Sequence, residues 1–331
     1  MTYKDSGVDI SKGNEAKDRI KKMVRKTFDK NVMSEIGLFG GFYRFPKNKF
    51  NDPVLVSSTD GVGTKLKIAV LMDQHDTIGE DLVNHCVNDI LACGATPLFF
   101  LDYLGLGKVE QRVITEIVEG LTEGCKKNGC SLIGGETAQM PGFYADGEYD
   151  MSGTIVGVVE KKKAINGSVI KNGDVLIGLH SSGLHTNGYS LARKVLMEKY
   201  KLEENVPELG CTLGEELLKV HKSYLKPVKA VMEKIAVKGI AHITGGGIFE
   251  NTYRIIPKKL KIKIDWSSWE VPPVFELIQR LGNVPYDDMI RTFNLGVGMI
   301  LVVGKKQADL TIKILRQKKE KPFILGEIVR H

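Results

Sequence analysis

The chain of 331 residues is long enough for about two domains, each with its own hydrophobic core. Its hydrophobic content of 42% and charged content of 26% are typical of a globular protein. A net charge of +7 is modest, and the lysines are scattered, so we expect no nucleic-acid partner. The five cysteines contain no C-x-x-C pair and predict neither a zinc site nor a disulfide framework. No apolar run approaches membrane-spanning length, so we expect a cytoplasmic protein with no membrane partner.

The first predicted helix begins near Asn14, because apolar residues follow at helical spacing over residues 20–28. A glycine-rich segment, residues 37–41, comes next. Its backbone freedom suits a loop that closes over a nucleotide, and a plain connector is an equally good interpretation.

Residues 54–56 are short, aliphatic and mostly β-branched, and they predict a buried strand. Within nine residues of this strand the chain places a carboxylate, two glycines, a hydroxyl and a lysine. They are Asp60, Gly61, Gly63, Thr64 and Lys65. Glycine lets backbone N–H groups approach an anion, and Asp beside Thr can hold a hydrated divalent cation. Taken alone, Asp60-Gly61 is also compatible with a simple turn.

A helix is predicted to begin near Thr77, and Asp89 lies on it between Val87 and Ile90. A helix face directed at a core tolerates a carboxylate only when another group pairs with it. Asp89 therefore indicates either an exposed helix surface or a metal or nucleotide site.

The next strand, residues 97–106, is interrupted by Asp102, and a helix is predicted over residues 109–127. A short strand at 130–133 then leads into four residues that repeat the earlier pattern of glycine, carboxylate and hydroxyl. They are Gly134, Gly135, Glu136 and Thr137. Two such strand ends in one domain favour a shared function over two unrelated turns.

A lysine-rich segment separates the two predicted domains, which we place at residues 1–165 and 166–331. In the second domain, polar glycine-containing loops follow residues 174–179 and 241–243. Such loops at the start of a helix suit a phosphate group. His185 and His242 each lie beside one of these loops, although a lone histidine is more often structural. The strands and helices alternate to the end of the chain and predict α/β layers.

Five motifs occur in one order along the chain. They are Thr59-Asp60-Gly61-Val62-Gly63-Thr64-Lys65, His85-Cys86-Val87-Asn88-Asp89, Gly134-Gly135-Glu136-Thr137 with Met140-Pro141-Gly142, His185-Thr186-Asn187-Gly188-Tyr189-Ser190, and His242-Ile243-Thr244-Gly245-Gly246-Gly247. Together they resemble the phosphoribosylformylglycinamidine cyclo-ligases, also called aminoimidazole ribonucleotide synthetases. Residues 3–9 and 291–299 fit as well, so the resemblance covers nearly the whole chain. Thr186 stands where the family more often has serine, which keeps the hydroxyl.

The resemblance implies an ATP-dependent ring closure in purine biosynthesis. Formylglycinamidine ribonucleotide would become 5-aminoimidazole ribonucleotide, with release of ADP and phosphate. ATP would first phosphorylate the formyl amide oxygen, and an amidine nitrogen of the same molecule would then attack the activated carbon. Such chemistry needs positioning, charge neutralisation and proton transfer, and no covalent nucleophile.

The resemblance also implies roles for individual residues. The expected magnesium ligands are Asp60, Asp89 and Glu136. The other expected ATP contacts are Gly61, Gly63, Thr64, Lys65, Gly134, Gly135 and Thr137. The expected catalytic residues are His242, then His185, with Lys21 near the nucleotide. The expected substrate contacts are Ser181, Ser182, Gly183, Asn187, Thr244, Gly245, Gly246 and Gly247.

The fold that the resemblance implies has two α/β domains. The N-terminal one would contribute strands to a β-barrel shared by a homodimer, and the C-terminal one would be an α/β sandwich. Two relatives with ATP chemistry are alternatives, selenophosphate synthetase and thiamine-phosphate kinase. The first normally has a reactive Cys or selenocysteine near its N-terminus, whereas this chain has no Cys before Cys86. The second lacks the histidine and triple-glycine loops. A catalytically silent nucleotide-binding protein is a third alternative, and the intact acidic residues argue against it.

Overall fold

The computed structural model describes residues 14–331, so the opening motif at residues 3–9 lies outside the described part of the chain. Two compact units can be distinguished. The N-terminal unit ends at Lys162 and the C-terminal unit begins at Lys163, with Leu91–Gly94 grouped with the latter. No helix among residues 14–331 is long and apolar enough to cross a membrane.

The N-terminal unit is built on a four-stranded sheet with the strand order β1-β4-β2-β3. Its elements are α1 (Asn14–Arg25), β1 (Pro53–Gly61), α2 (Leu66–Met72), α3 (Asp76–Ala92), β2 (Thr96–Leu106), α4 (Gln111–Asn128), β3 (Ser131–Gln139) and β4 (Tyr149–Glu160). The β2–β3 pair is parallel and the other two pairs are antiparallel. This is the mixed α/β architecture that the alternation of elements predicts.

The strand at residues 54–56 is not buried as predicted. β1 lies at the edge of the sheet, and the side chains of Val54 and Leu55 are 38% and 62% exposed. Strand β1 has a neighbouring strand on one side only, and helix α3 packs on the face of the sheet opposite to Leu55. We call the face that carries Leu55, Thr59, Leu101, Tyr103 and Thr154 the open face.

Two strands continue further than their sequences predict. β1 runs through Asp60 to Gly61, and β3 runs through Glu136 to Gln139. Polar residues and glycines predict the end of each strand, yet both segments keep their ladder hydrogen bonds. Their side chains therefore alternate between the two faces of the sheet.

Glycines fix helix α3 closely against α4. A Cβ atom on Gly79 would lie 2.2 Å from the carbonyl oxygen of Ile117, and one on Gly120 would lie 2.3 Å from that of Asp76. The backbones of the two helices are therefore in near contact, which only residues without a side chain permit. This contact sets the position of the side chains that α3 directs at the sheet.

The C-terminal unit contains a five-stranded antiparallel sheet with the order β8-β10-β5-β11-β9. Its elements are β5 (Val175–His180), α5 (Tyr189–Leu196), β6 (Asn205–Val206), β7 (Cys211–Thr212), α6 (Leu213–Leu217), α7 (Leu225–Met232), β8 (Gly239–His242), α8 (Gly247–Tyr253), β9 (Leu260–Ile264), α9 (Pro273–Gly282), α10 (Tyr286–Thr292), β10 (Val297–Val303), α11 (Ala308–Gln317) and β11 (Phe323–Arg330). Strands β6 and β7 form a separate small hairpin.

Strand β10, which has a neighbour on each side, is buried along its whole length, which means that both faces of the sheet are covered. On one face, Ile300 and Val302 join a core with Leu176, Ile248 and Trp269. Helices pack against the sheet, as the contacts of α11 with β5 and of α8 with β8 show. The unit is therefore a layered α/β structure.

Asp102 on β2 is a carboxylate between the sheet and the helices. The residue as a whole keeps some accessible surface, but its carboxylate is densely surrounded by protein, and this burial raises its pKa from 3.8 to about 7. A Cβ on the neighbouring Gly135 would lie 2.2 Å from Oδ1 of Asp102, so the glycine provides the room for this carboxylate.

We expect the Asp102→Asn variant to lose part of the pH dependence of stability. Between about pH 4 and pH 7 the carboxyl group of Asp102 is protonated in the folded protein and ionised in the unfolded chain. The contribution of Asp102 to the free energy of unfolding therefore falls as the pH rises through that window, by at most about 1.4 kcal/mol per pH unit. Urea unfolding of both proteins at pH 5 and pH 8 measures the effect. Parallel pH dependence in the two proteins would contradict it.

Candidate functional site

The carboxylate of Asp60 is paired with a histidine from helix α3. Oδ2 of Asp60 lies 2.9 Å from Nε2 of His85, and the Gly61 N–H donates to Oδ1 at 2.8 Å. Burial alone would raise the pKa of Asp60, but the hydrogen bond and charge of His85 and the Gly61 N–H lower it below the usual value. Burial would likewise lower the pKa of His85, yet Asp60 foremost raises it above 6.5. The pair therefore favours the ionised forms of both groups.

Asp89 lies next to this pair. It is one helical turn after His85 on α3, so both side chains leave the same face of the helix. The hydroxyl of Ser58, on β1, donates to Oδ2 of Asp89 at 2.8 Å. Ser58 and Asp60 are two residues apart on β1 and so face the same side of the sheet, which places Asp89 near Asp60. The negative charge of Asp89 acts to raise the pKa of Asp60. We call Ser58, Asp60, His85 and Asp89 the acidic cluster.

The third predicted magnesium ligand does not join this cluster within one chain. Glu136 lies on β3, which is separated from β1 by β4 and β2, and adjacent strands are about 4.8 Å apart. Asp102 and its neighbour Gly135 share the helix-covered face, so Glu136 is directed to the open face. Within one chain Glu136 therefore does not lie on the same face as Asp60, and its assignment as a magnesium ligand stays a prediction. This position results from the continuation of β3 beyond the predicted strand end.

Lys65 occupies a different environment from the one predicted. Its ammonium is completely buried in an ion pair with Asp81 of α3, at 2.8 Å from Oδ2. Burial lowers the pKa of Lys65, while Asp81 favours the charged form. A fully enclosed ammonium cannot contact the phosphate of a ligand at the surface, so we do not retain Lys65 as an ATP contact.

The other predicted ATP contacts lie in accessible positions. Gly63 and Thr64 are exposed in a single 3₁₀ turn after β1, and Gly63 adopts a φ of +69° that favours glycine. Thr137 is exposed on β3, where Gly134 and Gly135 precede it. Lys21 is exposed on α1, and its Nζ would lie 3.9 Å from a Cβ on Gly37, so it is adjacent to the glycine-rich loop.

The C-terminal unit brings three histidines together. His185, His221 and His242 are buried, and a nitrogen of each lies within 4.8 Å of those of the other two. The rings of His185 and His221 stack with centroids 4.0 Å apart, and Nε2 of His221 lies 3.1 Å from Nε2 of His242. We call these three residues the histidine cluster. It contains both predicted catalytic histidines and one that the sequence analysis did not identify.

The backbone makes room for this cluster at specific positions. His185 has a φ of +61°, a conformation that a residue with a side chain rarely adopts. A Cβ on Gly298 would lie 2.7 Å from the His185 ring, so this glycine allows the ring to pack. Strain of this kind persists where the surrounding structure fixes it, and it is common at functional sites.

The predicted substrate loops lie beside the histidines. The Ser182 N–H donates to Nε2 of His185 at 3.1 Å, while the Ser181 hydroxyl donates to the carbonyl oxygen of Gly183 at 2.9 Å. Asn187 approaches the triple-glycine loop, because a Cβ on Gly245 would lie 3.4 Å from its Oδ1. Nδ2 of Asn187 is buried and has no hydrogen-bond partner among the residues that the structure describes.

The triple glycine itself has a structural explanation. Gly246 and Gly247 have φ values of +97° and +65°, and a Cβ on Gly247 would lie 1.8 Å from the Ile290 carbonyl oxygen. Nδ2 of Asn251 donates to the carbonyl oxygens of Thr244, Gly245 and Gly247 and so holds the loop. Two of the three glycines are therefore required by the fold, and only Gly245 lacks this constraint.

Both halves of the chain match known families. Residues 43–159 match the AIR synthase related protein N-terminal domain, and residues 171–331 match the corresponding C-terminal domain. The chain is 54% identical over 330 residues to the phosphoribosylformylglycinamidine cyclo-ligase of Caldicellulosiruptor bescii, covering 99% of this chain and 96% of that protein. The chain belongs to the phosphoribosylformylglycinamidine cyclo-ligase family. The resemblance inferred from the five motifs is thereby confirmed.

Solved structures with the same fold have other activities. Thiamine-monophosphate kinase from Stenotrophomonas maltophilia K279a aligns with a TM-score of 0.69 and 16% identity, over 95% of this chain and 93% of that one. Hydrogenase maturation protein HypE in complex with ATP aligns with a TM-score of 0.67 and 16% identity, over 98% and 88%. At these identities the likeness establishes the fold alone, whereas membership of the cyclo-ligase family follows from the sequence.

Three residues of the two clusters were not predicted as site residues from the sequence. They are Ser58, which directly precedes the motif that begins at Thr59, His85 and His221. His85 stands inside a quoted motif, and its position four residues before Asp89 was a usable signal. His221 lies between α6 and α7 with no glycine loop or strand end beside it. Nothing local in the sequence relates it to His185 and His242, which lie 36 and 21 residues away.

We expect Lys65→Met to reduce the free energy of unfolding by about 3–5 kcal/mol, because it leaves Asp81 buried without its countercharge. The double variant Lys65→Met with Asp81→Leu should recover much of this loss. Chemical unfolding of the two variants and the wild type measures both effects. A single variant as stable as the wild type would show that the ion pair does not support the fold.

Proposed function

We propose that this chain catalyses the reaction after which its family is named. In that reaction, formylglycinamidine ribonucleotide is cyclised to 5-aminoimidazole ribonucleotide, and ATP is converted to ADP and phosphate. The chain is thus a ligase of purine biosynthesis, acting in the cytoplasm. The observation that carries the proposal is the acidic cluster, which offers oxygen ligands for the cation that accompanies ATP. It lies in a chain that matches the family over nearly its full length.

The acidic cluster fits a magnesium ion. Carboxylate and hydroxyl oxygens are the ligands that this hard cation prefers, and Asp60, Asp89 and Ser58 offer them on two adjoining elements. In the proposal Asp60 and Asp89 hold the ion, which when bound neutralises charge on the ATP phosphates. Gly61, Gly63 and Thr64 contribute backbone and hydroxyl groups to the phosphates, as do Gly134, Gly135 and Thr137, and Lys21 lies near the nucleotide.

The reaction requires positioning and proton transfer. After ATP phosphorylates the formyl amide oxygen, the attacking amidine nitrogen must lose a proton as the ring closes and phosphate departs. His242 is proposed to accept that proton, and His185 to assist. General acid–base help of this kind is typically worth about 10²–10⁴-fold in rate.

The loops beside the histidine cluster are proposed to bind the substrate. Asn187 supports this assignment, because a buried amide group costs free energy unless something accepts its hydrogens. The remaining proposed contacts are Ser181, Ser182, Gly183, Thr244, Gly245, Gly246 and Gly247. Among the glycines, Gly245 is the strongest candidate for direct contact because the fold does not otherwise require it.

A homodimer is proposed to cover the open face of the N-terminal sheet. Leu55 is 62% exposed and Tyr103 is 36% exposed on this face, and a second copy would remove their apolar surface from water. Strands of two copies would together form the barrel that the family fold implies. Sedimentation at micromolar concentration is expected to show a dimer, and a monomer alone would overturn this part of the proposal.

The direct test of the function is turnover. Purified protein incubated with magnesium, ATP and formylglycinamidine ribonucleotide is expected to form ADP and 5-aminoimidazole ribonucleotide in equal amounts. Thiamine monophosphate offered in place of the ribonucleotide should give no product. Absence of the aminoimidazole product from a folded protein would refute the assignment.

We expect Asp89→Asn to raise the magnesium concentration needed for half-maximal activity by about tenfold or more, because it removes one charged oxygen ligand. Stability should change little, since less repulsion with Asp60 offsets the weaker bond from Ser58. Activity against magnesium concentration, with thermal unfolding alongside, measures both.

Asp52→Asn is the matched control, because Asp52 is an exposed carboxylate just before β1 that contacts Lys161. Its magnesium dependence should equal that of the wild type. If Asp89→Asn also keeps the wild-type magnesium dependence, or loses activity only through unfolding, Asp89 has a structural role and the magnesium assignment is wrong.

A further inference from the structure

His221 occupies the centre of the histidine cluster. Its Nε2 lies 3.1 Å from Nε2 of His242, and its Nδ1 lies 3.3 Å from the hydroxyl oxygen of Thr186. Its ring stacks on His185 with an angle of 19° between the planes, and its side chain has no exposed surface. Both ring nitrogens of His221 are therefore engaged, one of them by a proposed catalytic residue.

The contact between the two Nε2 atoms restricts where their hydrogens can be. At 3.1 Å one nitrogen must donate and the other must accept, so the two rings share one hydrogen on this side. Either His242 carries hydrogen on Nε2 and His221 donates from Nδ1 to Thr186, or both hydrogen bonds run in the opposite direction. In the first arrangement Nδ1 of His242 is unprotonated, and in the second it carries the hydrogen.

A metal ion is the other use that three close histidines suggest. The geometry disfavours it, because the rings of His185 and His221 are nearly parallel and 4.0 Å apart. Lone pairs lie in the ring planes, so two stacked rings direct them side by side and not at one point. Nε2 of His185 also already accepts the Ser182 N–H.

We propose that His221 is a positioning residue for His242. It accepts a hydrogen bond from the Nε2–H of His242 and donates its own Nδ1–H to the hydroxyl oxygen of Thr186, which keeps Nδ1 of His242 unprotonated. In the cyclisation, His242 Nδ1 takes the proton of the attacking amidine nitrogen as the new carbon–nitrogen bond forms and the carbon–oxygen bond to phosphate breaks. The resulting imidazolium is stabilised by its hydrogen bond to His221, and its proton then passes to solvent. This inference rests on the proposed function.

The tautomer of His242 can be measured without any reaction. Nitrogen-15 NMR distinguishes a protonated from an unprotonated ring nitrogen, and the chain has only seven histidines to resolve. The spectrum of His242→Gln identifies the His242 signals by their absence. We expect the wild type to show hydrogen on Nε2 of His242, and His221→Leu to show a large population with hydrogen on Nδ1.

Kinetics test the consequence of this tautomer. We expect His221→Leu to lower kcat by about 10- to 100-fold, less than loss of a direct acid–base group, with little change in KM for the ribonucleotide. His221→Gln should stay within about threefold of the wild type, because its amide oxygen can still accept from His242. Thr186→Val should lower kcat less than His221→Leu does.

Thr311→Val is the matched control for the threonine variant. Thr311 is a fully buried threonine of the same unit, and its hydroxyl donates to Gln307 within its own turn of chain. It should leave both the tautomer and kcat unchanged. Thermal unfolding of every variant separates loss of folding from loss of rate.

The possible outcomes distinguish a failure of the positioning role of His221 from a failure of the proposed function. Hydrogen on Nδ1 of His242 in the wild type, or a tautomer that His221→Leu leaves unchanged, would overturn the inference even in an active enzyme. Stoichiometric zinc in the purified protein, with metal-bound shifts for all three histidines, would also overturn it. An inactive wild type with the expected tautomer would refute the proposed function and leave the positioning contact intact.

Discussion

Two carboxylates held close together in one chain are the constraint on which the N-terminal unit depends. Asp60 and Asp89 repel each other, and the protein compensates with His85 on one and the Ser58 hydroxyl on the other. His85 and Asp89 both come from α3, so the helix must lie at a fixed distance from β1. The near contact of α3 with α4 at Gly79 and Gly120 fixes that distance. Glycine at these positions thus serves the site as well as the packing.

The two units contribute different chemistry. The acidic cluster of the N-terminal unit suits a cation and phosphate, whereas the histidine cluster of the C-terminal unit suits proton transfer. Carboxylate and hydroxyl oxygens are the ligands that hard cations prefer, whereas imidazole is the side chain that most readily exchanges a proton near neutral pH. This division agrees with a reaction in which phosphorylation and ring closure are separate steps. The proposed homodimer would bury the exposed side chains of Leu55 and Tyr103 on the open face.

Much of this could be predicted from the sequence, and the failures have physical causes. The alternation of elements predicted α/β layers, and five motifs predicted the family. The end of β3 could not be predicted, because glycines and polar residues that usually end a strand can continue one when neighbouring strands supply hydrogen bonds. The position of Glu136 on the open face follows from this continuation and could not be predicted. The burial of Lys65 depends on Asp81, 16 residues away on another helix, and the role of His221 depends on tertiary contacts alone. Local patterns carry no information about such partners.

Asp60 and Asp89 together are proposed to hold the cation that accompanies ATP. Crystals grown with manganese and a non-hydrolysable ATP analogue test this proposal directly, because manganese replaces magnesium and scatters anomalously. We expect an anomalous peak within about 2.5 Å of carboxylate oxygens of both Asp60 and Asp89, with the phosphates of the analogue as further ligands. A manganese ion bound to the analogue but away from these two carboxylates would show that Asp60 and Asp89 do not hold the cation.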